Sequence, residues 1–211
     1  MQIKAHNITK QFTEKYILRE FSFEINPGDK VNIAGPSGIG KTTLFKLLLG
    51  FEMPDSGHIE VNGKTLVGEQ IWAVRQQVAY VSQDLNIGLG TVNQLFTETL
   101  SYKHNQHLKS SAQAHIALLL QQFELPLNTL DKNITELSGG EKQRVAIVNA
   151  LLLQRKVFFL DEISSALDAA LKENVLDYFL GNSEFTVLYI SHDSYRPSNI
   201  AIKTLTLSNH D

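Results

Sequence analysis

Gly-Pro-Ser-Gly-Ile-Gly-Lys-Thr, residues 35–42, is the most informative segment of the sequence for the fold. An apolar run at Lys30–Ala34 precedes it and apolar residues at helical spacing over Thr42–Leu49 follow it, which predicts strand, loop and helix. Glycines let the backbone wrap closely around phosphate oxygens, and N–H groups at the helix start favour an anion. Lys41 would add a positive charge for the β- and γ-phosphates, and the Thr42 hydroxyl would bind Mg²⁺. A chance glycine turn is the alternative, but the complete match in this context predicts a nucleotide site.

A pair of carboxylates follows a second apolar run. Val157–Leu160 is wholly apolar and leads directly into Asp161 and Glu162. The exits of buried parallel strands are where open α/β sheets place their sites. Asp161 would hold Mg²⁺ through its water shell, and Glu162 would orient and deprotonate an attacking water. Alone, the pair would be read as the cap of the next helix; beside a phosphate-binding loop it predicts hydrolysis.

A third motif, Leu-Ser-Gly-Gly-Glu-Lys-Gln-Arg at residues 137–144, opens a stretch with helical spacing. The Ser138 hydroxyl and the exposed N–H groups of a helix N-terminus would form a second anion site. As an isolated Ser-Gly-Gly-Glu this would be an ordinary helix cap. Its meaning comes from the longer string and from its place before Asp161.

The remaining pattern predicts an α/β fold. Strand patterns occupy Ile3–Ile8, Leu18–Ile25, Ile59–Val61, Val78–Val81 and Thr186–Ile190, with a closing strand within Ile200–Leu207. Asn62-Gly63 indicates a hairpin, so an antiparallel element should follow the first helix. From Thr91 to about Leu153 only helical spacing is found. We predict a P-loop NTPase (RecA-like) core with an antiparallel β subdomain and an inserted helical subdomain.

Composition narrows the function further. The chain has 211 residues, a formal net charge of −3 and no cysteine, which suits one domain without disulfides or thiolate metal sites. A basic surplus for nucleic acid is missing, so no nucleic-acid partner is expected. The start shows no secretory signal and the apolar runs are far shorter than the roughly 20 residues of a membrane span. We expect a cytoplasmic protein that reaches a membrane only through a partner.

Together and in this order, the three motifs resemble the ATP-binding cassette (ABC) family, over essentially the whole chain. The resemblance implies a Mg²⁺-dependent ATPase of a bacterial transporter, peripheral to the inner membrane and soluble when isolated. Its partners would be a separately encoded permease and a second ATPase subunit, with ATP bound between two cassettes. One cassette domain over residues 1–211 is implied, with residues 1–87 and 145–211 as the nucleotide-binding core and residues 88–144 as the helical subdomain.

The resemblance also assigns residues. Phe12 replaces the usual tyrosine that stacks on adenine, keeping the ring; a core aromatic is the alternative. The candidate ATP ligands within one chain are Phe12, Gly35, Pro36, Ser37, Gly38, Ile39, Gly40, Lys41, Thr42 and Thr43. The candidates that would reach the partner's ATP are Ser138, Gly139, Gly140 and Asp168. The candidate catalytic residues are Glu162, His192, Gln83 and Lys41, and the candidate Mg²⁺ ligands are Thr42, Gln83 and Asp161.

Two departures from the family pattern are visible: Ile163 stands in place of proline and Asn149 in place of arginine. The sequence of residues 132–144 and 161–168 is similar to that of the FetA/YbbL-type iron-export ATPases, a resemblance that implies metal export. Non-transport cassettes of DNA repair or translation are the alternative, although sustained heptads and a second cassette are missing. His104 and His107 have a metal-compatible spacing without an evident third ligand, so a solvated face is preferred, and Trp72 is predicted to pack.

Overall fold

The computed structural model describes residues 1–191, 195, 197, 198 and 200–208, and its framework is two β-sheets. The strands are β1 (Ile3–Phe12), β2 (Lys15–Ile25), β3 (Lys30–Ala34), β4 (Ser56–Val61), β5 (Lys64–Thr65), β6 (Val78–Val81), β7 (Val157–Asp161), β8 (Thr186–Ile190) and β9 (Ile202–Thr206). The helices are α1 (Lys41–Leu48), α2 (Glu69–Arg75), α3 (Val92–Ser101), α4 (Ala112–Gln122), α5 (Gly139–Leu152) and α6 (Ala169–Gly181). Short 3₁₀ segments cover Lys103–Ser111, Leu127–Asp131 and Ile134–Glu136.

The larger sheet has five parallel strands in the order β6-β7-β8-β3-β9. Every residue of β7 is buried, as expected where both faces of a parallel sheet are covered. Phe158 and Leu160 lie in the hydrophobic core that the sheet shares with α3, α4, α5 and α6, called the helical core below. Phe158 packs on Phe179 there, with ring centroids 5.0 Å apart. Phe159 faces the other way, into a second hydrophobic core that contains α1, and stacks on Phe45 with ring centroids 5.0 Å apart. The side chains of β7 thus alternate between the two cores. The strand ends at Asp161, and Glu162 follows directly, at the carboxyl end of the sheet.

The smaller sheet is antiparallel, in the order β2-β1-β4-β5. Ile3 and Ala5 of β1, with Ile59 and Val61 of β4, are buried in the second core. The alternate residues of these strands face outward, as the two-residue period of a strand requires. The predicted Asn62-Gly63 hairpin is confirmed, since both residues have positive φ and β4 pairs with β5 across them.

The predicted fold class is confirmed, and most elements lie where the sequence placed them. β1 and β2 are longer than predicted because a hairpin through Thr13, with φ 56°, lets their pairing extend to Phe12 and Lys15. The short helix α2 was not predicted. It carries Trp72, which is 66% exposed, so the predicted packing role of this side chain is wrong. The indole ring lies outward instead, with the Arg75 guanidinium 5.3 Å from its centroid.

Helices α3, α4 and α5 form the region between Thr91 and Leu153, as predicted. The division into residues 1–87, 88–144 and 145–211 stays a prediction, and its second boundary falls within α5. Ile163 packs in the helical core, whereas the side-chain oxygen of Asn149 is buried without a hydrogen bond. In the described part of the chain, no helix combines the length and apolarity needed to cross a membrane.

Candidate nucleotide site

The glycine-rich loop occupies the turn from β3 into α1. Gly35 and Gly40 have φ angles of 149° and 112°, a region that side chains rarely adopt. A Cβ atom at Gly35 would lie 2.7 Å from the Leu207 carbonyl oxygen, and one at Gly40 would lie 2.0 Å from the Ile17 side chain. Both positions therefore require glycine. Because no side chain fits at these two glycines, the loop presents backbone atoms there, and Gly40 lines a cavity in front of the loop.

Lys41 lies inside this loop. Its side chain is buried, and Nζ donates hydrogen bonds to the carbonyl oxygens of Gly35 at 2.9 Å and Pro36 at 3.0 Å. A buried ammonium with two carbonyl partners is satisfied and held at the loop. Ile39 of the same loop is buried in the core, so only its backbone is available to a phosphate.

A cavity of about 410 Å³ opens in front of the loop, and it unites residues from distant parts of the sequence. Its lining contains six predicted ATP ligands, the predicted catalytic residues Gln83 and Glu162, and Ile17, which the sequence reasoning did not select. The lining residues are Ile17, Ser37, Gly38, Gly40, Lys41, Thr42, Thr43, Gln83 and Glu162.

The buried Asp161 contacts Thr42, which lines the cavity. The Thr42 hydroxyl donates to Asp161 Oδ2 at 2.8 Å, although the two residues are 119 positions apart. Tyr80, which the sequence reasoning missed, places its hydroxyl 3.5 Å from the same oxygen. The other oxygen, Oδ1, is buried without a hydrogen-bond partner. Burial raises the pKa of Asp161, and the Thr42 hydrogen bond acts against this rise.

This corner fits a hard divalent cation. Carboxylate and hydroxyl oxygens are the donors that Mg²⁺ prefers, and an unpartnered buried carboxylate oxygen needs a positive neighbour. Burial together with the Asp161 charge also raises the pKa of Tyr80 to about 12, so its hydroxyl stays neutral. The structure brings together Thr42 and Asp161, two of the three predicted Mg²⁺ ligands, while Gln83 contacts Glu162; the Mg²⁺ role of all three stays a prediction.

Glu162 has an unusual backbone that turns it toward Gln83. Its φ of 50° is rare for a residue with a side chain, and its N–H donates to the Ile190 carbonyl at 3.0 Å. Gln83 Nε2 donates to Glu162 Oε2 at 2.8 Å. Because Gln83 follows β6 and Glu162 follows β7, adjacent parallel strands bring both side chains to one cavity edge. Local strain of this kind is found mainly at functional sites.

Gln143 links this edge to the start of α5, and the sequence reasoning gave it no role. Its side chain is fully buried, with Nε2 donating to the Glu162 carbonyl at 3.1 Å and Oε1 accepting from the Ala166 N–H at 3.0 Å. The signal available in the sequence was a glutamine inside the motif at residues 137–144. Gln143 thus fixes the backbone on both sides of Ile163.

Ser138 caps helix α5 in a reciprocal arrangement. Its hydroxyl accepts from the Glu141 N–H at 3.2 Å, and the Glu141 carboxylate accepts from the Ser138 N–H at 2.9 Å. Lys132 donates to the same carboxylate at 2.9 Å, and these bonds lower the pKa of Glu141 to about 2. A Cβ at Gly140 would lie 3.0 Å from the Ala166 carbonyl oxygen, which favours glycine there.

The other predicted residues are placed as follows. Asp168 caps α6 by accepting from the Leu171 N–H at 3.0 Å. Neither Asp168 nor Ser138, Gly139 and Gly140 is among the residues that line the nucleotide cavity of the described chain. Phe12 is 43% exposed at the end of β1, so it is no core aromatic, and Lys10 Nζ lies 5.0 Å from its ring centroid. His192 lies outside the described residues.

Comparison with known proteins agrees with this architecture. A family profile described as ABC transporter matches residues 18–165. The Fe(3+) ions import ATP-binding protein FbpC 2 of Rhodococcus jostii (strain RHA1) is 33% identical over 98% of the chain, which spans 59% of that relative. The probable iron export ATP-binding protein FetA of Escherichia coli (strain K12) is 35% identical over 99% of the chain, which spans 92% of it.

Solved structures share the fold. A bacterial Atm1-family ABC exporter with ATP bound superposes with a TM-score of 0.82 at 26% identity, over 99% of this chain and 38% of that one. A dimeric bacterial ABC transporter cassette gives a TM-score of 0.78 at 23% identity, over 97% of this chain and 94% of that one. The motif set, the fold and the profile match over more than half of the sequence lead to one conclusion: the chain belongs to the ABC transporter family and is one of its ATP-binding cassettes.

Proposed function

We propose that the chain hydrolyses ATP as the energy-supplying subunit of a membrane transporter. The observation that carries the proposal is that both carboxylates lie beside the phosphate loop. Asp161 accepts a hydrogen bond from Thr42 of the loop, and Glu162, held by Gln83, lines the cavity that the loop also lines. Phosphoryl transfer needs positioning and charge stabilisation more than covalent chemistry, and this arrangement supplies both.

In the proposed reaction, Gly35–Gly40 and Lys41 bind the phosphates through backbone N–H groups and one ammonium. Glu162, oriented by Gln83, accepts a proton from water as the water oxygen bonds to the γ-phosphorus. The bond from that phosphorus to the β–γ bridging oxygen breaks, giving ADP and phosphate. Thr42 and Asp161 would hold Mg²⁺, which when bound neutralises charge on the phosphate oxygens.

We propose further that the working unit is a dimer. Ser138, Gly139 and Gly140 form a helix N-terminus suited to an anion, and Asp168 begins α6, yet all four lie off the cavity lining of their own chain. Two chains packed head to tail would bring these residues to the nucleotide held by the partner. The dimeric cassette among the fold neighbours supports this arrangement. His192 would complete the γ-phosphate contacts.

The transporter itself would contain a separately encoded permease, with this chain on its cytoplasmic side. The names of the relatives support this, because they are ATP-binding proteins for the import of iron, spermidine/putrescine or sulfate/thiosulfate, or for iron export. For the cargo we propose iron and for the direction export, on the likeness to FetA, of which the chain spans 92%.

Glu162→Gln tests the catalytic assignment. The variant should bind Mg·ATP with near wild-type affinity and lose at least about 100-fold in turnover, the usual effect of removing a general base. Glu24→Gln, at an exposed position of β2 on the smaller sheet, is the matched control and should keep full turnover. Undiminished hydrolysis by Glu162→Gln would remove Glu162 from the mechanism.

Reconstitution tests the transport assignment. The chain should copurify with a membrane protein, and iron should stimulate the ATPase of the vesicle-reconstituted complex more than sulfate or spermidine does. If the direction is export, iron should accumulate in inside-out vesicles and not in vesicles of the opposite orientation. A complex carrying Lys41→Ala is the inactive control. Failure to recover a membrane protein would favour a non-transport cassette.

A further inference from the structure

The outer face of the smaller sheet carries two histidines and a glutamate from neighbouring strands. His6 of β1 lies directly opposite His58 of β4 in the antiparallel register. Glu60 is two residues beyond His58, so the strand period places it on the same face. The pairing shifts immediately after His6, where Asn7 has φ 46°, and such bulges redirect the neighbouring side chains.

The three side chains are already drawn together. The imidazole rings stack with centroids 4.6 Å apart and planes inclined by 15°. His58 Nε2 lies 3.2 Å from Glu60 Oε1, and His6 Nε2 lies 3.6 Å from Glu60 Oε2. Each carboxylate oxygen therefore faces a different ring nitrogen. All the ligand atoms lie within 4.8 Å of one another.

We propose that His6, His58 and Glu60 form a binding site for a divalent transition metal of the zinc class. Imidazole nitrogen and carboxylate oxygen are ordinary zinc ligands, and three protein ligands leave a position for water. Ligand atoms around a tetrahedral ion with bonds of about 2.1 Å stand roughly 3.4 Å apart, close to both measured nitrogen-to-oxygen distances. The imidazoles, 44% and 48% exposed, can rotate to bring their nitrogens to the ion.

The spacing of these residues carries the proposal, because histidines alone would not. His104 and His107 also lie near each other, with ring centroids 6.5 Å apart and planes at 86°, but no described carboxylate completes a group of three with them. Within residues 1–191 and the other described positions, His6, His58 and Glu60 are the group of three ligand-type side chains close enough for one ion. A bound ion would tie β1 to β4. This site does not depend on the proposed ATPase activity.

Untagged, nucleotide-free protein titrated with Co²⁺ tests the site, because cobalt in a site of low coordination number gives an intense visible absorption that Zn²⁺ removes by displacement. Calorimetry with Zn²⁺ gives the stoichiometry in parallel. The test variants are His58→Gln and Glu60→Gln, and His104→Gln combined with His107→Gln is the matched control. Because Asp161 would also bind a divalent ion under the proposed function, the informative quantity is the difference in metal affinity between variant and wild type.

Wild type and the His104/His107 control should show the cobalt band and bind one equivalent of Zn²⁺ at this site. His58→Gln should lower the affinity for that Zn²⁺ by at least about tenfold, or 1.4 kcal/mol. Glu60→Gln should weaken binding in the same direction, and Ca²⁺ should not compete, since it prefers oxygen ligands. Circular dichroism checks that both variants fold, as expected because His58 is exposed and Glu60 is only half-buried. Equal zinc affinity in wild type and both test variants would overturn the proposal, as would wild-type protein that gives no cobalt band.

Discussion

Replacement of Gln143 by leucine removes two hydrogen bonds while leaving the volume of the side chain nearly unchanged. The Glu162 carbonyl keeps a second donor, the Ser165 N–H at 3.2 Å, so the larger loss falls on the Ala166 N–H. An unpaired, partly buried backbone donor costs about 1–3 kcal/mol. We therefore expect Gln143→Leu to lower the free energy of unfolding by about 2 kcal/mol. Turnover should fall as well, because Glu162 loses one of its backbone anchors.

Urea denaturation in the absence of nucleotide measures the first effect, and steady-state phosphate release measures the second. Gln121→Leu, an exposed glutamine of α4, is the matched control and should change stability by less than about 0.5 kcal/mol. Gln143→Glu keeps the acceptor for Ala166 but places a carboxylate oxygen against the Glu162 carbonyl oxygen, so it should also destabilise. A Gln143→Leu variant as stable and as active as wild type would show that Gln143 does not hold the backbone around Glu162.

Two further substitutions have expected outcomes. Asp161→Asn should abolish Mg²⁺-dependent stabilisation by ATP yet raise the melting temperature of the nucleotide-free protein, because a buried carboxylate with one unpartnered oxygen is removed; a lower melting temperature would contradict this. For Glu141→Gln, the pKa of Glu141 falls from 4.5 to about 2 on folding, so the stabilising contribution is complete above pH 4.5 and is lost as the pH falls toward 2. Solvent screening limits that contribution to about 1 kcal/mol. Urea denaturation should therefore show the difference in free energy of unfolding between wild type and Glu141→Gln becoming smaller as the pH is lowered through this range.

The sequence predicted the elements whose patterns are local. Val157–Leu160 followed by two carboxylates could be read as a buried strand and a site edge because its signal lies within six residues. The loop at residues 35–42 was equally readable, since its glycines and Lys41 act through the backbone of one turn.

Contacts between distant residues could not be predicted in the same way. Tyr80 on Asp161 and Gln143 on Glu162 depend on which strand lies beside which, and a single sequence does not contain that order. The metal-ligand cluster on β1 and β4 depends on a register that only the paired strands define. Trp72 shows the opposite error, since its large apolar ring suggested packing although α2 leaves it exposed.

Mixing two inactive variants tests whether each ATP site is shared between two chains. Ser138→Arg damages the residue offered to the partner's ATP and also removes the hydroxyl cap of α5, whereas Glu162→Gln damages the base beside the chain's own ATP. A mixed dimer would then contain one intact site. Equimolar mixing should restore about a quarter of wild-type ATPase activity, because half of the dimers are mixed and each has one working site of two. Activity that stays at the sum of the separate variants would contradict the shared site.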